Sequence, residues 1–128
     1  MIKNILVLSA TFFIASCAIN HENNIQILTA IKVVDSTKPD FKVCENFQLT
    51  EAEITSFFNS AKQVSNEESH GESLIMPCQY SGKLTMNKKA YTYELFAGGT
   101  GYIYDENGWV VKNFICKNNC CRKISNLC

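Results

Sequence analysis

The chain has no C-x-x-C pair, only two prolines and two histidines, and no acidic residue between positions 109 and 128. Without C-x-x-C there is no dithiol redox motif. Neither His21 nor His70 has a second histidine nearby to fix a metal or catalytic geometry. Charge of one sign is not in excess: 12 Lys+Arg balance 12 Asp+Glu for a formal net charge of zero. That balance removes the electrostatic basis for bulk nucleic-acid binding. No apolar run approaches the roughly 18 residues that a membrane-spanning helix needs.

What is present argues for a folded domain. Hydrophobic residues make up 46% and aromatics 11% of 128 residues, too many for a disordered chain. The length suits one small domain, near the size at which covalent cross-links begin to matter.

Lys3 precedes an apolar stretch, Ile5 to Ile14, of ten residues. At 1.5 Å per residue it reaches only about 15 Å, the dimension of a signal-peptide core. Ile14-Ala15-Ser16-Cys17 follows directly and resembles the lipobox of bacterial lipoproteins: an aliphatic residue, two small ones and the cysteine that becomes lipidated. The resemblance implies a signal peptide over 1–16, a lipidated tether over 17–24 and a single domain over 25–128. Cys17 would then carry the lipid, and its acyl chains together exceed what stable anchoring requires. Ala18 in place of aspartate implies the periplasmic face of an outer membrane. Ordinary cleavage by the general signal peptidase is the alternative, since Ser16 and Ala18 are small; both routes export the domain.

Setting Cys17 aside leaves Cys44, Cys78, Cys116, Cys120, Cys121 and Cys128, an even number in an oxidising compartment, where thiols pair. All six are disulfide candidates. A vicinal Cys120–Cys121 bond is disfavoured by strain. Cys116, Cys120 and Cys121 lie within six residues, so a zinc site is the competing reading; the compartment favours disulfides. Cys44 and Cys78 each sit at an element boundary, and we expect at least two bridges from them to the C-terminal cluster, with Cys128 the least constrained.

The fold expected is α+β: one amphipathic helix packed on an antiparallel meander of four or five strands, stapled by disulfides. Ile25 to Val34 alternates as a strand. Thr50-Glu51-Ala52-Glu53 has the form of a capping box, and Ile54, Phe57, Phe58, Ala61 and Val64 continue it as one apolar helical stripe. Residues 65–73, polar and broken by Gly71, suggest a loop. Strand-like runs cover Gln79 to Met86, Ala90 to Phe96, Tyr102 to Tyr104 and Val110 to Cys116. Asn107-Gly108 is the strongest type I′ hairpin signal between them. In such a meander Cys78 and Cys116 stand about 14 Å apart, too far to bond.

Candidate chemistry is sparse. His70 among Glu67, Glu68 and Glu72 has the residue types for proton transfer or metal binding, although a solvated loop has the same composition. Gly98-Gly99-Thr100-Gly101 lacks the Lys-Ser/Thr and helix of a phosphate loop. Tyr80, Tyr91, Tyr93, Tyr102, Tyr104 and Trp109 could form an aromatic platform, but no basic groove accompanies them. Residues 45–72 hold six Glu against one Lys, and residues 109–128 hold three Lys and one Arg, a polarity compatible with solubility or with protein docking.

Leu49 to Ala61, Val64, His70, Pro77-Cys78, Gly82, Gly99, Gly101, Cys116 and Cys120-Cys121 together resemble small exported bacterial proteins of uncharacterised function. The resemblance implies a helix on an antiparallel sheet and assigns no catalytic residue. The functional expectation is a non-enzymatic, lipid-anchored envelope protein, held to the membrane through Cys17 and binding a protein partner as an inhibitor or immunity-type protein. No nucleic acid, metal or cofactor is expected. A small enzyme using His70 with a glutamate, a metal protein using Cys116, Cys120 and Cys121, and a structural envelope lipoprotein are the alternatives.

Overall fold

The computed structural model describes residues 24–128. The expected leader, Cys17 and the expected tether up to residue 23 lie outside the described residues. The element order is β1 (Ile25–Ile27), β2 (Ile31–Val34), a 3-10 turn (Phe41–Asn46), α1 (Glu51–Ser60), β3 (Lys62–Val64), α2 (Asn66–Glu72), β4 (Cys78–Met86), β5 (Lys89–Phe96), β6 (Thr100–Tyr104), β7 (Val110–Ile115) and α3 (Asn119–Lys123). The class is α+β, as expected. Among the described residues the curled antiparallel sheet has seven strands rather than four or five, in the order β1-β4-β5-β6-β7-β3, with β2 also on β4.

The extra strands have local causes. The single strand expected over Ile25 to Val34 divides in two where Leu28 and Thr29 both turn their amides to the Lys83 carbonyl, at 2.9 and 3.2 Å. Tyr93 donates to the Thr29 carbonyl at 2.8 Å, and the Lys83 amide donates to Thr29 Oγ1 at 2.9 Å. Gly82 makes this crossing possible, because a Cβ there would occupy the place of the Thr29 carbonyl. The other addition, β3, comes from the end of the helical stripe: α1 stops at Ser60, and Lys62–Val64 pairs antiparallel with Asn113–Ile115 of β7. Val64 is therefore buried from a strand and not from the helix.

The capping box forms as expected, with Glu53 N donating to Thr50 Oγ1 at 3.1 Å and Thr50 N to Glu53 Oε2 at 2.8 Å. Helix α1 buries Ile54, Phe57 and Phe58. Phe58 meets Tyr93 and Phe114 edge to face, with centroids 5.5 and 5.3 Å apart. Gly101 lets the helix approach, since a Cβ there would lie 2.5 Å from the Phe57 ring. The opposite face of the sheet carries α2, where a loop was expected. Ser65-Asn66-Glu67-Glu68 opens it: the Ser65 hydroxyl accepts from Glu68 N at 3.2 Å. The Asn66 and Asn113 amides bond each other, and Ser69 donates to Tyr102 Oη at 3.3 Å.

The β4–β5 hairpin has the two-residue positive-φ turn, at Asn87 (φ 52°) and Lys88 (φ 68°). The expected type I′ turn at Asn107-Gly108 is corrected: only Gly108 has positive φ there, and Asp105 Oδ1 holds the loop by accepting from the amides of Asn107 and Trp109 at 2.9 and 3.0 Å.

Among the described residues the disulfides are Cys44–Cys78, Cys116–Cys120 and Cys121–Cys128. Bridges from Cys44 or Cys78 into the C-terminal cluster do not form. Cys44, on the 3-10 turn, lies 5.8 Å from Cys78 between Cα atoms, so these two satisfy each other. The tail instead closes on itself: Leu127 and Ile124 are buried, and Gly98 N donates to the Leu127 carbonyl at 2.7 Å. This anchors Cys128 next to Cys121 and makes it a full participant. Cys78 and Cys116 are not bonded, in keeping with their strand positions.

Candidate functional site

The side chains singled out in sequence fall into separate places. His70 lies exposed on α2, and its neighbouring carboxylates turn to lysines: Glu72 meets Lys117 at 2.9 Å and Glu68 meets Lys62 at 3.9 Å. The hydrogen bond and charge of Lys117 hold the Glu72 carboxyl below its ordinary range, and the Lys117 ammonium is raised in turn. Part of the opposed charge of residues 45–72 and the tail is thus spent within the molecule. Of the expected Cys116, Cys120 and Cys121 trio, Cys116 and Cys121 group with Cys128 instead of Cys120, the three sulfurs all within 4.8 Å and Cys116 Sγ 3.1 Å from Cys121 Sγ. All three are engaged in disulfides, so they have no thiolate to offer a metal.

The aromatic set divides three ways. Tyr80 and Tyr93 are core residues, with Tyr91 partly buried against the core; Tyr80 Oη accepts from Leu49 N at 3.1 Å. Trp109 stands at a hairpin tip. Tyr102 and Tyr104 face the same side of the sheet as Phe96, with centroids 6.1 Å (Phe96–Tyr102) and 6.2 Å (Tyr102–Tyr104) apart.

That side holds the candidate site. Strand alternation places Ile31 and Val33 of β2, Gln79 and Ser81 of β4, Glu94 and Phe96 of β5, and Tyr102 and Tyr104 of β6 on one face, in register with one another. Helix α2 and the segment after it cover the β6–β7 half, burying Thr100 and Asn113. The β2–β4–β5 half is left open. Two adjoining hollows, about 500 and 470 Å³, mark it, and both include Gln79.

At its centre a carboxylate is fixed from two sides. Gln79 Nε2 donates to Glu94 Oε2 at 2.6 Å, and Tyr104 donates to Glu94 Oε1 at 2.5 Å. Burial, then the bond and charge of Glu94, pushes the Tyr104 phenol well above its ordinary range. It stays a donor at neutral pH. Glu94 therefore keeps a set orientation, with each oxygen retaining a further lone pair. Around this polar centre stand Ile31, 62% exposed, and the exposed Val33 and Ile75. Apolar side chains around a fixed acceptor make a surface suited to recognition. No sequence signal marks the Gln79, Glu94 and Tyr104 group, since the three belong to three strands and no short spacing joins them.

No family model, curated protein or solved structure matches the chain. Among the described residues no helix is long and apolar enough to cross a membrane. The three disulfides point to an oxidising, exported environment.

Proposed function

We propose that this is a non-enzymatic cell-envelope protein, anchored by lipid at Cys17, that binds a protein partner as an inhibitor or immunity-type protein through the open half of its outer sheet face. One observation carries the binding surface: Glu94, held by Gln79 and Tyr104, sits within exposed Ile31 and Val33. An exposed apolar group around an oriented acceptor fits a partner that presents a cationic or N–H donor side chain framed by apolar ones. Export supports the anchored part of the reading, as does the lipobox resemblance at Cys17, which would place the protein on the periplasmic face of an outer membrane.

The test is co-purification from envelope extract with matched variants. A stoichiometric partner held by the wild type and lost with both Ile31→Glu and Glu94→Gln supports the reading. A partner that both variants keep moves the binding surface elsewhere. Retention of cell-wall polymer in place of protein favours a structural lipoprotein. Acyl labelling that disappears in Cys17→Ser supports the anchor; wild-type protein recovered soluble and beginning at Ile19 removes it.

A further inference from the structure

Three groups of exposed residues lie at one end of the sheet. Strand β4 runs towards its turn at Asn87-Lys88, β6 runs the same way to the loop at Asp105–Trp109, and β1 begins at that end, with Ile25 opposite Met86. The point where the tether joins the domain is pinned there: Asn87 N donates to the Asn24 carbonyl at 3.2 Å, and Asn24 N donates to Asn87 Oδ1 at 3.4 Å. The cysteine-rich tail and the Gly98-Gly99 turn occupy the other end.

The exposed residues at the tether end share one chemistry. Trp109 is 73% exposed, and Val110 and Val111 beside it are exposed as well. Lys88 and Lys89 are exposed on the neighbouring turn, and Lys89 Nζ lies 5.5 Å from the centroid of the Tyr91 ring. Asp105 turns its carboxylate inward to the loop amides, which leaves Glu106 as the outward acid of that loop. Tryptophan beside aliphatic residues and lysines is the composition favoured at the boundary between headgroups and acyl chains.

We infer that this end of the domain docks on the lipid surface, with Trp109 and the two valines entering the headgroup boundary and Lys88 and Lys89 at the phosphates. The inference rests on the anchor at Cys17. From Cys17 to Asn24 a fully extended chain covers at most about 25 Å. The Trp109 loop joins β6 to β7, three to four strand positions from β1, about 14 to 19 Å and inside that reach. The tether makes docking intramolecular, so a loop too small to bind vesicles alone is held at high effective concentration. The open face of β2, β4 and β5 then stands upright beside the membrane, free for a partner.

Trp109 is the sole tryptophan of the chain, so its fluorescence reports the contact directly. The lipidated full chain is reconstituted into vesicles of phosphatidylethanolamine and phosphatidylglycerol, and Cys17→Ser protein serves as the soluble reference. Docking predicts blue-shifted emission, quenching by brominated acyl chains and roughly threefold weaker quenching by aqueous acrylamide, as befits an indole at the headgroup boundary. Trp109→Ala protein should still float with the vesicles, while tryptic cleavage at Lys88 and Lys89 speeds up. Protein that floats but has the emission and acrylamide quenching of the soluble reference overturns docking and leaves the anchor standing. Protein that does not float overturns both.

Discussion

Tyr104 donates its phenolic hydrogen to Glu94 Oε1 across 2.5 Å, tying β6 to β5 at the middle of the open face. The same bond couples that face to pH at the alkaline end. Burial also lifts the Tyr93 phenol, to about 12.

The resulting pH dependence has a definite sign. Below the ordinary phenol value of 10.0 both tyrosines are protonated in the folded and unfolded chain alike, and their contribution is fully present. Above it the unfolded chain releases protons that the folded chain retains, so stability falls as pH rises towards the folded-state values. Denaturation midpoints should decline above pH 10, and tyrosinate absorbance should show Tyr93 and Tyr104 ionising only well above it. Tyr104→Phe should remove one of the late ionisations. A late ionisation whose amplitude survives unchanged in Tyr104→Phe would refute the arrangement.

Replacing Cys44 and Cys78 together by serine opens a bridge spanning 34 residues and should lower stability by about 3 kcal/mol. The paired replacements Cys116→Ser with Cys120→Ser, and Cys121→Ser with Cys128→Ser, open spans of 4 and 7 residues and should cost less. Urea midpoints measure the ranking. Non-reducing peptide maps check the pairing, which must show Cys44 joined to Cys78.

Gly82→Ala should cost about 2 kcal/mol or more, because the new methyl meets the Thr29 backbone and not a yielding side chain. The loss should appear as faster hydrogen exchange at Leu28 and Thr29 before any other backbone amides. A variant as stable as the wild type would mean that the β1–β2 crossing is not held against β4.

Thr50→Ala removes the hydroxyl that accepts from Glu53 N and should cost about 1 kcal/mol. Ser65→Ala should cost a similar or smaller amount, with the exchange of α2 amides accelerating and those of α1 unchanged. Thermal unfolding together with amide exchange separates the two helices.

Local signals carried much of this fold. The Thr50–Glu53 capping box, the four longer strands of the meander and the inward Ile54, Phe57 and Phe58 follow from spacing, because capping and amphipathic periodicity act within a few residues. The even six cysteines likewise imply disulfides once export is accepted. Helix α2 was not anticipated, because the polarity of residues 65–73 and Gly71 read as a loop; its Ser65 cap appears only in the structure. Tertiary structure alone decided the rest. Whether Val64 extends a helix or ends a strand depends on the free edge of β7. Which cysteine meets which depends on the 3-10 turn lying over the start of β4 and on Leu127 closing the tail under Gly98. The recognition group of Gln79, Glu94 and Tyr104 exists only because strand register aligns residues from three strands, and register is set by long-range pairing that no short stretch of sequence encodes.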